Sequence, residues 1–133
     1  MNLLKNLALV FLLAAFLLAA ESASAEEGGG KDTQHAALEP ITVNLQGSTR
    51  QYLQVEMTLR LAKPELIDKI KLYMPVIRHT MILLLTSKEA NQLTPLDGKM
   101  KLVQESKNAL NRALGLTEKD GITDVLFTAL IIQ

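Results

Sequence analysis

The sequence predicts an α+β domain, a small, mainly antiparallel sheet packed against two or three helices on one face. Three observations predict it. Apolar and polar residues alternate without a break from Gln51 to Leu61, apolar residues recur every three to four positions from Leu66 to Leu84, and strand composition returns from Ile122 to Ile132. Strands that flank a helical middle can pair with one another only if the helices fold onto the sheet they form.

Each element follows from local chemistry. Between Leu38 and Leu45, Ile41, Val43 and Leu45 alternate with Thr42 and Asn44, which predicts a short strand, and Gln46-Gly47-Ser48-Thr49 supplies the turn after it. In the next run Leu53, Val55, Met57, Leu59 and Leu61 face one way while Tyr52, Gln54, Glu56, Thr58 and Arg60 face the other. That pattern belongs to an antiparallel strand with one buried and one wet face. Pro64 stands at a first helical position ahead of Leu66, Ile70, Tyr73, Ile77, Met81 and Leu84. Pro75 has no N–H to donate and must kink or divide that helix. Ile82-Leu83-Leu84-Leu85 broadens the apolar face of its second half, which is therefore expected to be nearly enclosed by the sheet or by a partner.

Ser87 to Gln92 reads as a polar exit. Thr94-Pro95-Leu96-Asp97 reads as a helix start with the Thr94 hydroxyl as N-cap. Leu96, Met100, Val103, Leu110 and Leu114 form the stripe of this last helix, Lys107 interrupts it with its charged end reaching for water, and Gly115 closes it. Thr117 to Gly121 is a polar turn. In the final run Val125, Phe127, Ala129 and Ile131 make one face and Leu126, Leu130 and Ile132 most of the other. Apolar character on both faces predicts a strand inside the sheet rather than at its edge.

The first 25 residues read as an export segment. Lys5 precedes an apolar stretch from Leu7 to Ala20, and Ala23-Ser24-Ala25 supplies the small residues that signal peptidase accepts at Ala23 and Ala25. The expected outcome is a signal peptide cleaved after Ala25, with a short uncleaved membrane anchor as the alternative. Under both, Lys5 stays on the cytoplasmic side and everything after residue 25 crosses the membrane. Residues 26–36, with Gly28-Gly29-Gly30, read as a flexible linker, and residues 37–133 as the folded domain. The glycine run lacks the spacing of a phosphate-binding loop.

Chemistry is hard to build from what remains. Fourteen basic residues balance fourteen acidic ones, so there is no electrostatic footprint for nucleic acid. No cysteine is present, which excludes disulfides, thiol catalysis and thiolate zinc sites. The two histidines, His35 in the linker and His79 after Pro75, are too few for a histidine cluster. Ser48, Ser87 and Ser106 lie in no nucleophile elbow, and Asp68, Asp97, Asp120 and Asp124 lack metal-loop spacing. The expectation is a non-enzyme with no catalytic, cofactor-binding or metal residues and no small-molecule substrate. Two residues stand out as interaction candidates. Arg78, opposite the apolar row of its helix, reads as a solvated or ion-paired face residue or as an interface contact, and Leu83 lies in the apolar block that follows.

Several segments together resemble one family. The ending Asp124-Val125-Leu126-Phe127-Thr128-Ala129-Leu130-Ile131-Ile132-Gln133 is similar to that of the FliL family of flagellar basal-body-associated proteins. Val43-Asn44-Leu45 with Arg50 and Tyr52-Leu53-Gln54-Val55 resembles the family's first two strands. Pro75-Val76-Ile77-Arg78 with Ile82 and Leu84-Leu85 resembles the next block, and Leu96, Gly98, Leu102 and Asn111 resemble the last helix. Leu126 and Leu130 stand where aromatic residues are common in the family, and the leader replaces the family's longer spanning helix. The resemblance implies a stomatin-like domain on the periplasmic side of the inner membrane, at the flagellar basal body. It further implies association with the motor stator and with copies of itself, in support of swimming, swarming or chemotaxis. The competing expectation is a free periplasmic structural or chaperone-like protein with no motor role.

Overall fold

The computed structural model describes residues 34–133 of the chain. The expected signal peptide or anchor, including Ala23 and Ala25, lies outside the described residues, as does most of the expected linker. Eight elements follow in order: strands β1 (Gln34–Ala37), β2 (Ile41–Asn44) and β3 (Tyr52–Leu61), helices α1 (Leu66–Leu72), α2 (Met74–Thr86), α3 (Ala90–Leu93) and α4 (Leu96–Leu114), and strand β4 (Ile122–Ile132). The class is the one expected, α+β with a small antiparallel sheet packed against helices: α1, α2 and α4 lie on β1, β2 and β4, and the short α3 packs on α4.

Strand β3 is the spine of the sheet. On one side it pairs antiparallel with β1 through Leu59 and Leu61 and with β2 through Leu53 and Val55, and on the other it pairs antiparallel with β4 along its whole length. Gln34 to Ala37 form a strand, β1, partly inside the stretch expected as linker, so His35 sits beside Arg60 in the sheet. β1 and β2 are two pieces of one edge. Leu38 still donates to Met57 O at 3.0 Å, but the register slips by one residue before Ile41, where Pro40 has no N–H to continue the ladder.

The alternation of β3 gives the core face directly: Leu53, Val55, Met57, Leu59 and Leu61 are all buried. The helices close over that face with Leu66, Ile70, Ile77, Met81, Leu85, Leu93, Leu102, Leu110 and Leu114. Helix α2 packs on β2 and α4 packs on β4 and α2. The expected break near Pro75 is present: α1 ends at Leu72, Tyr73 leaves helical geometry (φ −98°, ψ 16°), and α2 restarts with Pro75 in its first turn. There the missing N–H falls among donors that have no intrahelical partner, so the proline costs little.

Four expectations are corrected. Strand β4 lies at an edge, because among the described residues only β3 pairs with it. Its face assignment also changes halfway. Met57 pairs with Phe127 but Glu56 with Ala129, so Thr128 is a bulge that flips the alternation. Phe127, Leu130 and Ile132 consequently share the core side with Val125, opposite Met57, Val55, Leu53 and Leu59, and Ala129 and Ile131 turn to the outer side. Thr94 does not cap α4. Its hydroxyl donates back to Ala90 O at 2.8 Å, completing the polar exit as the short helix α3, which Glu89 and Gln92 open with a reciprocal capping box. Lys107 does not run to open water: its side chain is buried and its ammonium meets Glu118 at 2.7 Å.

Helix α4 ends as predicted, with Gly115 in the left-handed region (φ 65°) and Leu116 N–H returning to Asn111 O. Its start is fixed by contact. A Cβ on Gly98 would stand 1.7 Å from Gln92 O, so α3 and α4 approach as closely as they do only because that residue is glycine. Near the other end, buried Asn111 clamps the first residue of β4, its Nδ2 donating to Ile122 O and its Oδ1 accepting from Ile122 N, both at 2.8 Å. The side-chain amide thereby stands in for a neighbouring strand.

Candidate interaction surfaces

The described residues bring together no group of three or more histidine, aspartate or glutamate side chains that could hold a metal ion, and none of their helices is long and apolar enough to cross a membrane. The features that call for explanation are apolar surfaces left open to solvent.

The first is the outer side of α2. Its core side carries Ile77, Met81 and Leu85, spaced by four residues and fully buried. The Ile82–Leu85 block is too wide for the sheet to cover, so Ile82 stays 37% and Leu83 58% exposed, with Val76 and His79 on the same outward side. The expected enclosure is thus half supplied by the sheet. The two interaction candidates differ in surroundings. The Arg78 guanidinium reaches across to the β1–β2 connection and donates to Glu39 O at 3.2 Å, where it ties the helix to the weak edge of the sheet. Leu83 faces solvent with no such tie.

The second surface runs along β4 and was not legible as a site. Helix α4 carries two stripes. Leu102, Ser106, Leu110 and Leu114 face the core, whereas Leu96 and Met100 are 70% and 60% exposed. The stripe expected from Leu96, Met100 and Val103 is real in period but points beyond the core, past the edge of the sheet. It forms one wall of a groove of about 430 Å³ whose other wall is Val125, Phe127 and Leu130 of β4. Lys99 and Asp124 are its charged members.

The backbone at this edge is also open. Tyr52 and Gln133 exchange both main-chain hydrogen bonds, at 2.8 and 2.9 Å, while Leu45 N–H and Leu38 N–H reach Gln51 O and Met57 O on the opposite side of β3. Antiparallel alternation then directs Gln54, Glu56 and Thr58 to β4 through Ile131, Ala129 and Leu126. Val125, Phe127, Leu130 and Ile132 direct their N–H and C=O groups away from the sheet. Asp124 Oδ1 accepts from Val125 N–H at 2.9 Å and Asp124 Oδ2 lies 3.7 Å from Arg60, so only the start of the edge is blunted by a side chain.

The fold and its outward apolar side chains define a small α+β domain with candidate contact surfaces. Comparison with known proteins makes this specific. Residues 36–133, nearly all of the described domain, match the family model of flagellar basal body-associated protein FliL. The flagellar protein FliL of Escherichia coli (strain K12) is 35% identical over 98 residues, which cover 73% of this chain and 63% of that relative. That of Aquifex aeolicus is 28% identical over 95 residues, covering 71% and 57%. The chain therefore belongs to the FliL family, although it spans less than two thirds of the length of these relatives.

Proposed function

We propose that this chain is a non-enzymatic accessory of the flagellar basal body, working on the periplasmic side of the inner membrane, where it contacts the motor stator and copies of itself in support of motility. Family membership over nearly all of the described domain is the observation that carries this reading. The outward apolar residues of α2 fit it, because an α+β unit that acts by contact needs surface it does not spend on its own core. The leader reading of residues 1–25 supplies the route across the membrane.

A fluorescent fusion compatible with the periplasm tests it, imaged in cells with and without stators. Spots at flagellar bases that fade when stators are removed support the reading. A uniform peripheral signal in both strains, with normal swimming after deletion of the gene, would replace it with a free periplasmic structural protein. Self-contact is tested by Leu83→Asp, which should reduce crosslinked oligomers while leaving the thermal midpoint almost unchanged, since Leu83 lies outside the core.

A further inference from the structure

From the free edge of β4 and the groove beside it, we propose a strand-addition site that takes a short, extended, uncharged segment of another protein with apolar residues at alternate positions. The proposal does not rest on the flagellar reading, since the edge is a property of the fold wherever the chain works.

Three observations choose the occupant. The first is the ladder. Phe127, Leu130 and Ile132 offer main-chain donors and acceptors that have no partner among the described residues, which an extended backbone satisfies and a helix, with its hydrogen bonds already made internally, does not. The second is the apolar wall. Leu96 and Met100 stand exposed beside that line, so a bound strand would lay alternate side chains against them and against Phe127 and Leu130. The groove's charged members are already engaged within the chain, Lys99 with Thr94 O at 2.7 Å and Asp124 with Arg60 and Val125 N–H, so neither is left to select a charged segment.

The third is size and shape. Nine residues line the groove, whereas a stable interface between folded proteins takes roughly 20–30 residues a side. A second copy docked here alone would bury too little. The bulge at Thr128 adds to this, because it bends the edge and hinders a rigid strand of another folded sheet, while a short flexible segment can follow the bend. The stretch from Val125 to Ile132 accommodates on the order of seven residues at about 3.3 Å each.

The test uses the purified, isotope-labelled full chain and three heptapeptides of alternating threonine and valine, capped at both ends. One peptide is unmodified, one is N-methylated at every valine and one at every threonine. Because successive amides of a strand point to opposite edges, each methylation pattern blocks one edge only. The proposal predicts saturable shifts of the Phe127, Leu130 and Ile132 amides with the unmodified peptide. One methylated peptide should bind more weakly by about tenfold or more, as the loss of several ladder hydrogen bonds implies, and the other about as well as the parent. Met100→Glu should abolish binding without lowering the thermal midpoint, its side chain being exposed in the free protein. Three results would overturn the proposal: no saturable shift, equal binding by both methylated peptides, or unchanged binding by the Met100→Glu chain. Slow exchange of the same three amides that grows with protein concentration in the absence of peptide would also overturn it, and would assign the edge to a second copy.

Discussion

Strands β3 and β4 are nearly equal in length and both are rich in aliphatic residues, yet they live in different surroundings. β3 has neighbours on both sides, and its five core-facing residues from Leu53 to Leu61 are at most 1% exposed. Among the described residues β4 has a neighbour on one side, carries irregularities opposite Glu56/Met57 and Arg60/Leu61, and buries only Ile122 and Val125 fully. Composition does not distinguish the two positions. What does is the number of ladders a strand enters and how far the helices extend over it, since a strand at the margin of the covering layer keeps apolar side chains half in water. The same sheet thus ends in two unlike edges. On the β1–β2 side the edge is short, interrupted at Pro40 and tied down by Arg78. On the β4 side it is long, apolar and open for most of its length.

Substitutions can break or sharpen this contrast. The largest effect is expected at the centre of β3, where Leu59→Ala should lower unfolding free energy by about 3 kcal/mol in a denaturant titration, as buried leucine truncations do. Next comes Gly98→Ala, which puts a methyl against Gln92 O and must shift α3 or α4. A loss of about 2 kcal/mol is expected, with amide shifts spreading along the groove wall that α4 supplies. Asn111→Ala removes both hydrogen bonds to Ile122 and leaves buried backbone groups unpaired, for a loss also near 2 kcal/mol, accompanied by faster exchange at the start of β4. The smallest effect is expected on the outer side of the edge strand, where Leu126→Ala should cost less than about 1 kcal/mol, its side chain being only half-buried. Equal losses at Leu59 and Leu126 would erase the contrast between the strands.

Much of this fold was legible because its signals were local. The alternation in β3, the division near Pro75 and the left-handed stop at Gly115 each need only a few neighbouring residues to be read. Where the reading went astray, the deciding cause lay elsewhere in the chain. Leu126 and Leu130 are apolar on both faces whether a strand is central or marginal, and nothing within β4 announces that Thr128 will bulge against Glu56. Helix α4 held two apolar stripes, and which one meets the core depends on where α3 and Gly98 set its start. Thr94 had the chemistry of an N-cap but spends its hydroxyl on Ala90, because α3 ends directly before α4. Both interaction candidates stand as proposed: Leu83 is exposed, and Arg78 donates to a backbone carbonyl 39 residues away, a contact that no local pattern encodes.

Amide-resolved hydrogen exchange on β4 tests the open edge most directly. Leu126, Ala129 and Ile131 should be protected by their bonds to β3, while Phe127, Leu130 and Ile132 exchange orders of magnitude faster within the same folded strand. Uniform protection along all six amides of the isolated monomer would mean that the edge is already closed, and would contradict the account.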